Sequence, residues 1–383
     1  MRILVINWRD IENPEAGGAE VHLHEIFRRI AAAGHDVTLL AHAFGNAPSR
    51  ETIAGIDVHR AGPRNTFNFV VPRALRGALD PARFDVVVDD LNKIPFYTPL
   101  YVRRPLVVLH HHFFGSSIFH EVPFPVAAYV FLHEAAAPLI YRRARWVTVS
   151  NSSRDELVSR GIPADRIALA MNAVDHARFA PGPPSEKDPD LLVYLGRIKR
   201  YKNIELLIRS MRAVRARRPR ARLLVVGEGD HRPALVRLAS DLALDGAVEF
   251  TGFVPLEEKV RILRRASLSI NASPKEGWGV TVIEANACGT PVIASDVPGL
   301  RDAVVDGKTG RLVPFGSQDA MERAIVALLE NDAERGRLAD GAVAWAARFS
   351  WDESARDVLA VLERAASERA ASERAGGRTA VGA

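Results

Sequence analysis

The chain has 383 residues, 48% hydrophobic and 25% charged, the composition of a globular protein rather than a disordered one, and a length that suits about two domains. Its net charge of +5 is mild. The densest basic run, residues 209–222, reads as a solvated helix end favoured by the helix dipole, so a nucleic-acid surface is excluded. A single cysteine, Cys288, excludes an intramolecular disulfide framework and a multi-cysteine metal cluster.

In chain order, residues 3–6 (Ile-Leu-Val-Ile) form a buried-strand run too short for a signal-peptide core. Residues 19–33 place Leu23, Ile26, Phe27 and Ile30 on one helical face, stopped by Gly34. Strand runs follow at 37–40, 85–88, 106–109 and 147–149, built of β-branched or apolar residues apart from the leading Asp85, as in a parallel sheet covered on both faces. A linker composition with Pro181, Gly182, Pro183, Pro184 and Pro189 then interrupts the pattern. It restarts with a strand at 191–195, a helix over 203–216, a strand at 222–226, and further strands near 248–250, 268–270, 291–294 and 312–313. After residue 317 the chain reads as helical, with breaks at Asn331-Asp332 and Phe349-Ser350.

The expected architecture is therefore α/β, with two Rossmann-like doubly wound domains facing across a cleft. The domain boundaries expected are 1–175, a linker at 176–190, a second domain at 191–348, a helix at 349–365, and a disordered tail at 366–383 that lacks core-forming residues. No 18 apolar residues run uninterrupted, so a cytoplasmic location is the default. The apolar stretch 122–141, followed by Arg142, Arg143 and Arg145, reads as a core or interdomain helix with a basic end. Its alternative is peripheral contact with anionic lipid at an inner membrane face.

Five places carry chemistry. Residues 276–295 (EGWGVTVIEANACGTPVIAS) pass a glycine-rich turn and open a helix near Val280, whose free amides make an anion site around Gly279, Val280 and Thr281. Glu276 and Glu284 flank that site, suited to accept hydrogen bonds from sugar hydroxyls. Arg197 and Lys202 follow a predicted strand; such a basic pair is by itself more often a solvated loop, though a planar fork and a compact charge reaching one point would suit a diphosphate. Gly17 and Gly18 form a turn where backbone can approach a ligand. His110, His111 and His112 end a strand; a structural role and metal binding are both open to them, although neighbours on an extended chain point to opposite sides. Asp89-Asp90 invites a metal reading too, with loop shaping or an acceptor-side role as the preferred one.

The 276–295 stretch, with its two glutamates separated by seven residues, resembles the signature of the family 4 retaining glycosyltransferases (glycosyl transferases group 1) of GT-B fold. Gly196-Arg197 followed by Lys202 resembles the family's G-R-x4-K element, Gly17-Gly18 its glycine loop, and Phe253 its base-holding segment. Phe349-Ser350-Trp351 resembles the late element whose following helix crosses back to the first domain. The resemblance spans roughly residues 1–365. It implies a hexosyl transfer from a nucleoside-diphosphate sugar, GDP-mannose or a UDP-hexose, to an acceptor hydroxyl with retained anomeric configuration and no metal or other cofactor. His111 (or a neighbour, His110 or His112), Arg197, Lys202 and Glu276 would carry catalysis. Gly17, Gly18, Arg197, Lys202, Phe253, Gly279, Val280, Thr281 and Glu284 would bind the donor. The acceptor could be a glycan, a lipid-linked compound or a small molecule. The alternatives are a nucleotide-sugar epimerase or phosphorylase on the same fold, or a non-catalytic sugar-nucleotide-binding protein.

Overall fold

The computed structural model describes residues 1–92, 94–120 and 122–379, with side chains as far as residue 369 except that of residue 120. The chain divides into two compact units, one of residues 1–172 and 351–383 and the other of residues 173–350.

The first unit runs β1 (Arg2–Ile6), α1 (Gly18–Ala32), β2 (Asp36–Ala41), β3 (Arg50–Ile53), β4 (Ile56–Arg60), α2 (Phe67–Ala74), β5 (Val86–Leu91), β6 (Leu106–His110), α3 (Phe124–Ile140), β7 (Arg145–Thr148), α4 (Asn151–Ser159) and β8 (Ile167–Leu169). Its sheet is ordered β3-β4-β2-β1-β5-β6-β7-β8, parallel except for the antiparallel β3–β4 pair. Ile3, Leu4, Val5 and Ile6 are all fully buried, because helices cover both faces of this central strand. Helix α1 stops where Gly34 takes φ +91°, a conformation costly for any residue with a Cβ. Ser150 starts α4 by accepting the Ser153 N–H at 3.1 Å.

The second unit runs β9 (Asp188–Leu195), α5 (Ile204–Arg217), β10 (Arg222–Val226), α6 (Arg232–Asp241), β11 (Val248–Gly252), α7 (Leu256–Arg265), β12 (Ala266–Asn271), α8 (Val280–Ala287), β13 (Val292–Ser295), α9 (Leu300–Ala303), β14 (Gly310–Val313), α10 (Gln318–Leu329) and α11 (Asp332–Ala346). Its sheet is wholly parallel, ordered β11-β10-β9-β12-β13-β14. The chain then returns to the first unit as α12 (Trp351–Thr379), which packs on α1 and buries Trp351, Ala355, Val358 and Leu362. Ser354 donates to the Met171 carbonyl at 2.6 Å, and Arg29 pairs with Asp352 at 2.5 Å.

Several boundaries differ from the sequence expectation. Strand β9 begins at Asp188, inside the proline-rich stretch expected to be linker. Strand β5 extends through Asp89 and Asp90, so the acidic pair lies within a buried strand and not in a loop after it. Residues 366–379, expected to be disordered, continue α12, and residues 380–383 lie outside the described residues.

In each sheet the strand order reverses beside the first strand of the unit, between β1 and β5 and between β9 and β12. The C-terminal ends of strands at such a reversal are where an open α/β sheet leaves a crevice for ligands. In the second unit the loops at this edge are locked by backbone. Ile198 N–H donates to the Glu228 carbonyl at 2.8 Å, and Gly227 N–H to the Gly252 carbonyl at 2.9 Å. Gly227 has φ +134°, and a Cβ there would stand 2.0 Å from the Gly196 carbonyl oxygen. Gly227→Ala is therefore expected to cost about 3 kcal/mol, since backbone has to move. Gly246, at φ +75° with nothing within 4 Å of its missing Cβ, is the control, and Gly246→Ala should cost about 1 kcal/mol. Urea denaturation of both variants checks the difference; equal losses would mean that the close approach does not matter.

Candidate active site

In the second unit, β9 ends at a turn through Gly196 and Arg197, and Tyr194 fixes that turn by donating its hydroxyl to the Arg197 carbonyl at 3.0 Å. The chain passes through a short helical turn at Arg200–Lys202, and Asn203 at φ +54° starts α5. This geometry turns Lys202 inward, where its ammonium donates to Glu276 and lies 4.9 Å from the Tyr201 ring centroid. Burial alone would lower the Lys202 ammonium. The adjacent Glu276 carboxylate, helped by Tyr201 and Tyr194, instead holds it above its ordinary value. Arg197 is exposed, and its guanidinium pairs with no acid among the described residues.

Glu276 sits in the turn between β12 and α8, beside the strand-order reversal. Gly299, at φ +80°, allows the turn to close: a Cβ there would lie 2.0 Å from the Glu276 carbonyl oxygen. Trp278 packs edge-on against Phe349 with centroids 5.0 Å apart and is almost fully buried. Gly279, at φ +96°, is the N-cap of α8 and supplies no side-chain hydrogen bond, so the first-turn amides of Val280 and Thr281 are uncapped donors. One turn along, Glu284 is buried. One of its oxygens accepts from the Lys259 ammonium at 2.6 Å, and the other, Oε2, has no hydrogen-bond partner among the described residues. Phe253, just after β11, is exposed.

In the first unit the strand pleat sorts the residues that the sequence left as pairs and triplets. Asp89 accepts from Thr98 Oγ1 at 2.6 Å and from the Tyr141 hydroxyl at 2.5 Å, and its burial pushes its carboxyl up to about 7. It is a packing residue. Asp90, on the opposite face, lies 3.3 Å from His111 Nε2. His110 packs on Phe113 and Trp146, and His112 on Phe114. The His111 ring also meets His22 edge-on, with centroids 5.2 Å apart. Burial lowers His22 to about 3, with His111 adding to the effect. Burial would lower His111 as well, but Asp90, with a contribution from Glu20, lifts it above its ordinary value. Of two neighbouring imidazoles, one is therefore kept neutral and the other favours its proton. Glu20 accepts the Gly17 N–H at 2.7 Å, closing the start of α1. Neither the extended φ of Gly17 nor its surroundings demands a glycine, since an added Cβ would make only an ordinary 3.7 Å contact. Among the described residues, no group of three or more His, Cys, Asp or Glu side chains could hold a metal ion.

Comparison with known proteins bears on both units. Residues 177–345 match the family model described as glycosyl transferases group 1, and residues 16–178 match glycosyltransferase family 4. A D-inositol 3-phosphate glycosyltransferase of Frankia alni is 32% identical over 390 aligned positions, covering 90% of this chain and 94% of the relative. The chain belongs to the group 1, family 4 glycosyltransferases. Among solved structures, sucrose-phosphate synthase from Thermosynechococcus elongatus is 21% identical and aligns with a TM-score of 0.79 over 95% of this chain and 98% of that one. Anabaena HepE in complex with UDP and glucose is 19% identical and aligns with a TM-score of 0.75 over 95% of this chain and all of that one. Both likenesses are in fold, and the glycosyltransferase fold is GT-B.

Within the second unit of this glycosyltransferase, the structure brings Lys202 and Glu276 together and puts Glu284 one turn into the helix that follows. It does not bring Arg197 into that ion pair, and it leaves the Phe253 side chain in solvent. Lys259, the partner of Glu284, escaped the sequence reading: one lysine on the amphipathic helix α7 carries no local signal. Asp90 was visible as half of an acidic pair, but only the β5–β6 register, which sets Asp90 opposite Leu109, identifies it as the neighbour of His111.

The coupling between Asp90 and His111 can be measured. His111 is expected to titrate above its ordinary 6.5. The stabilisation this gives is complete below the unfolded value and fades as the pH rises past the elevated folded one. Asp90→Asn leaves burial as the dominant influence, so the His111 imidazole should then titrate below 6.5 in NMR. An unchanged His111 titration would show that Asp90 does not set its charge.

Proposed function

We propose that this glycosyltransferase transfers a hexosyl unit from a nucleoside-diphosphate sugar, GDP-mannose or a UDP-hexose, to an acceptor hydroxyl with retention of anomeric configuration and without a metal ion. The observation that carries the reading is the Lys202–Glu276 ion pair, held in the turn that opens the uncapped helix α8. A cation, free amides and a carboxylate are thus concentrated where a sugar joined to a diphosphate needs all three. The paired Lys202 keeps its charge, and a charged ammonium is the form that stabilises a phosphate.

As the anomeric carbon–oxygen bond lengthens, negative charge grows on the departing β-phosphate. Lys202, Arg197 and the Val280 and Thr281 amides stabilise that charge without reorganising. The departing phosphate oxygen takes the proton of the acceptor hydroxyl, which attacks on the same face of the sugar, and the anomeric configuration is retained. Glu276, with one oxygen on Lys202, orients the donor sugar's hydroxyls. Glu284 receives the ribose hydroxyls on its unpartnered Oε2, with Lys259 fixing its other oxygen. Backbone around Phe253 holds the base, and backbone at Gly17, Gly18 and Gly279 approaches the donor. His111, with Asp90 behind it, is assigned a hydrogen bond to the transferred sugar. The relative's name makes an inositol phosphate the acceptor to try first.

Arg197 is exposed, so Arg197→Ala should leave the melting temperature unchanged while lowering turnover by about 100-fold. Equal losses of stability and activity would remove its assigned role. A thermal-shift panel of UDP, GDP and ADP, each with and without EDTA, is expected to single out one base and to be insensitive to the chelator, because ligands that bind the native state raise apparent stability. Release of nucleoside diphosphate should require acceptor, and NMR of the product should show the donor's anomeric configuration. An inverted product or a turnover abolished by EDTA would refute the corresponding part of the proposal.

Glu284→Gln should weaken nucleoside-diphosphate binding by about tenfold in calorimetry, since it replaces a charged hydrogen-bond acceptor with a neutral one. Unchanged affinity would place the ribose elsewhere.

A further inference from the structure

Helix α3 is built inside out. Its buried positions are Ala127, Val130, Glu134, Ala137 and Pro138, so small residues and one acid face the unit's interior. The Glu134 carboxylate is held there by the backbone N–H groups of Phe114 and Gly115, each at 2.9 Å. The bulky apolar side chains point outward instead: Phe124, Leu132 and Leu139 are 73%, 67% and 75% exposed, and Val126, Tyr129 and Phe131 are exposed as well. Phe119 extends the patch, its ring 5.8 Å from that of Phe124 and 5.7 Å from that of Phe131. No charged side chain interrupts the outward face of this helix. An apolar surface this continuous marks an interaction site.

Charge says what covers it. Arg142 and Arg143 are exposed immediately beyond the helix. The Tyr97 hydroxyl contacts His133 of α3, which brings alongside the segment bearing exposed Leu100, Tyr101 and Arg103. Between residues 94 and 144 the carboxylates are Glu134, which is buried, and Glu121, which lies outside the described residues. At the basic end of the helix the exposed Glu368 is engaged by Arg145, while Arg142 and Arg143 have no ion pair among the described residues. A layer of anionic lipid headgroups offers each arginine a phosphate. At 17 residues α3 is about 25 Å long, and no helix among the described residues is long and apolar enough to cross a membrane. The geometry is that of a helix lying in the interface plane.

We infer that the exposed face of α3, with Phe119 and the arginines Arg103, Arg142 and Arg143, docks the first unit on the surface of an anionic bilayer. The inference stands apart from the donor-site reading, because none of these residues is assigned a part in glycosyl transfer.

The test is co-sedimentation of the full chain with vesicles of phosphatidylcholine alone or mixed with phosphatidylglycerol, with sedimentation velocity run in parallel. The parent should be retained by the phosphatidylglycerol vesicles, and less so as salt is raised. The triple variant Phe124→Ser, Leu132→Ser, Leu139→Ser should lose at least about tenfold in retention, since it removes the inserted surface. Arg142→Ala with Arg143→Ala should lose about tenfold on anionic vesicles alone and leave the apolar face intact, which keeps the test decisive should the triple variant fold poorly. No retention by phosphatidylglycerol vesicles, retention unaffected by both variants, or a concentration-dependent dimer dissolved by the triple variant would each overturn the inference.

Discussion

The Lys202–Glu276 ion pair is the interaction to which the second unit's local structure leads. Taking both charges largely out of water is costly, and a pair of apolar residues would pack there at no such penalty, so the pair is not explained as a source of stability. What it does is keep an ammonium charged and aimed at one point. The backbone makes that aim reproducible. The turn after β9 is tied to the turn after β10 through Ile198 and Glu228, and Tyr194 supports it from beneath. On the other side of the strand-order reversal, Gly299 lets the chain pass within contact of the Glu276 carbonyl. Both partners thus stand on loops whose position is set by main chain and not by flexible side chains.

The first unit reaches a comparable arrangement by a different route, the alternation of a strand. Asp89 and Asp90 are adjacent in sequence and chemically identical, yet the pleat gives them opposite surroundings. One is made hard to ionise by its burial, against two hydroxyl donors that favour its charge; the other meets an imidazole and helps to charge it. The same parity separates His110, among aromatic rings, from His111, beside acids. Shifting β5 by one residue against its neighbours would exchange the two aspartates and remove the acid from His111.

Much of this was legible in the sequence, and the reasons are physical. Apolar β-branched runs locate buried parallel strands because both faces must be covered, which is why β1, β2, β6 and β10 lie where the composition puts them. The glycine-rich turn before Val280 marks the start of α8, since the chain enters that helix at φ +96°, a conformation that favours glycine. Less legible were features that depend on partners distant in sequence. The β3–β4 hairpin has alternating half-exposed residues that mimic a loop. Lys259 and Glu284 are far apart in the chain and meet only through packing of α7 and α8. The apolar composition of the 122–141 stretch suits a core or interdomain helix. The orientation of that helix, with alanines inward and phenylalanines outward, cannot be inferred from composition. The alanine-rich repeat after residue 365 lacks large apolar residues, yet it continues a helix already started by Trp351, and extending an existing helix is far easier than nucleating one.

Because α12 belongs to the first unit while the whole of the second is encoded ahead of it, the first unit is discontinuous along the chain. During synthesis, α1 leaves the ribosome well before its covering helix, which emerges only after every residue of the second unit. Until then the surface that Trp351, Val358 and Leu362 later bury stays wet and available for wrong contacts. A premature stop anywhere before residue 351 would leave the early half permanently unfinished, however well the later half had folded.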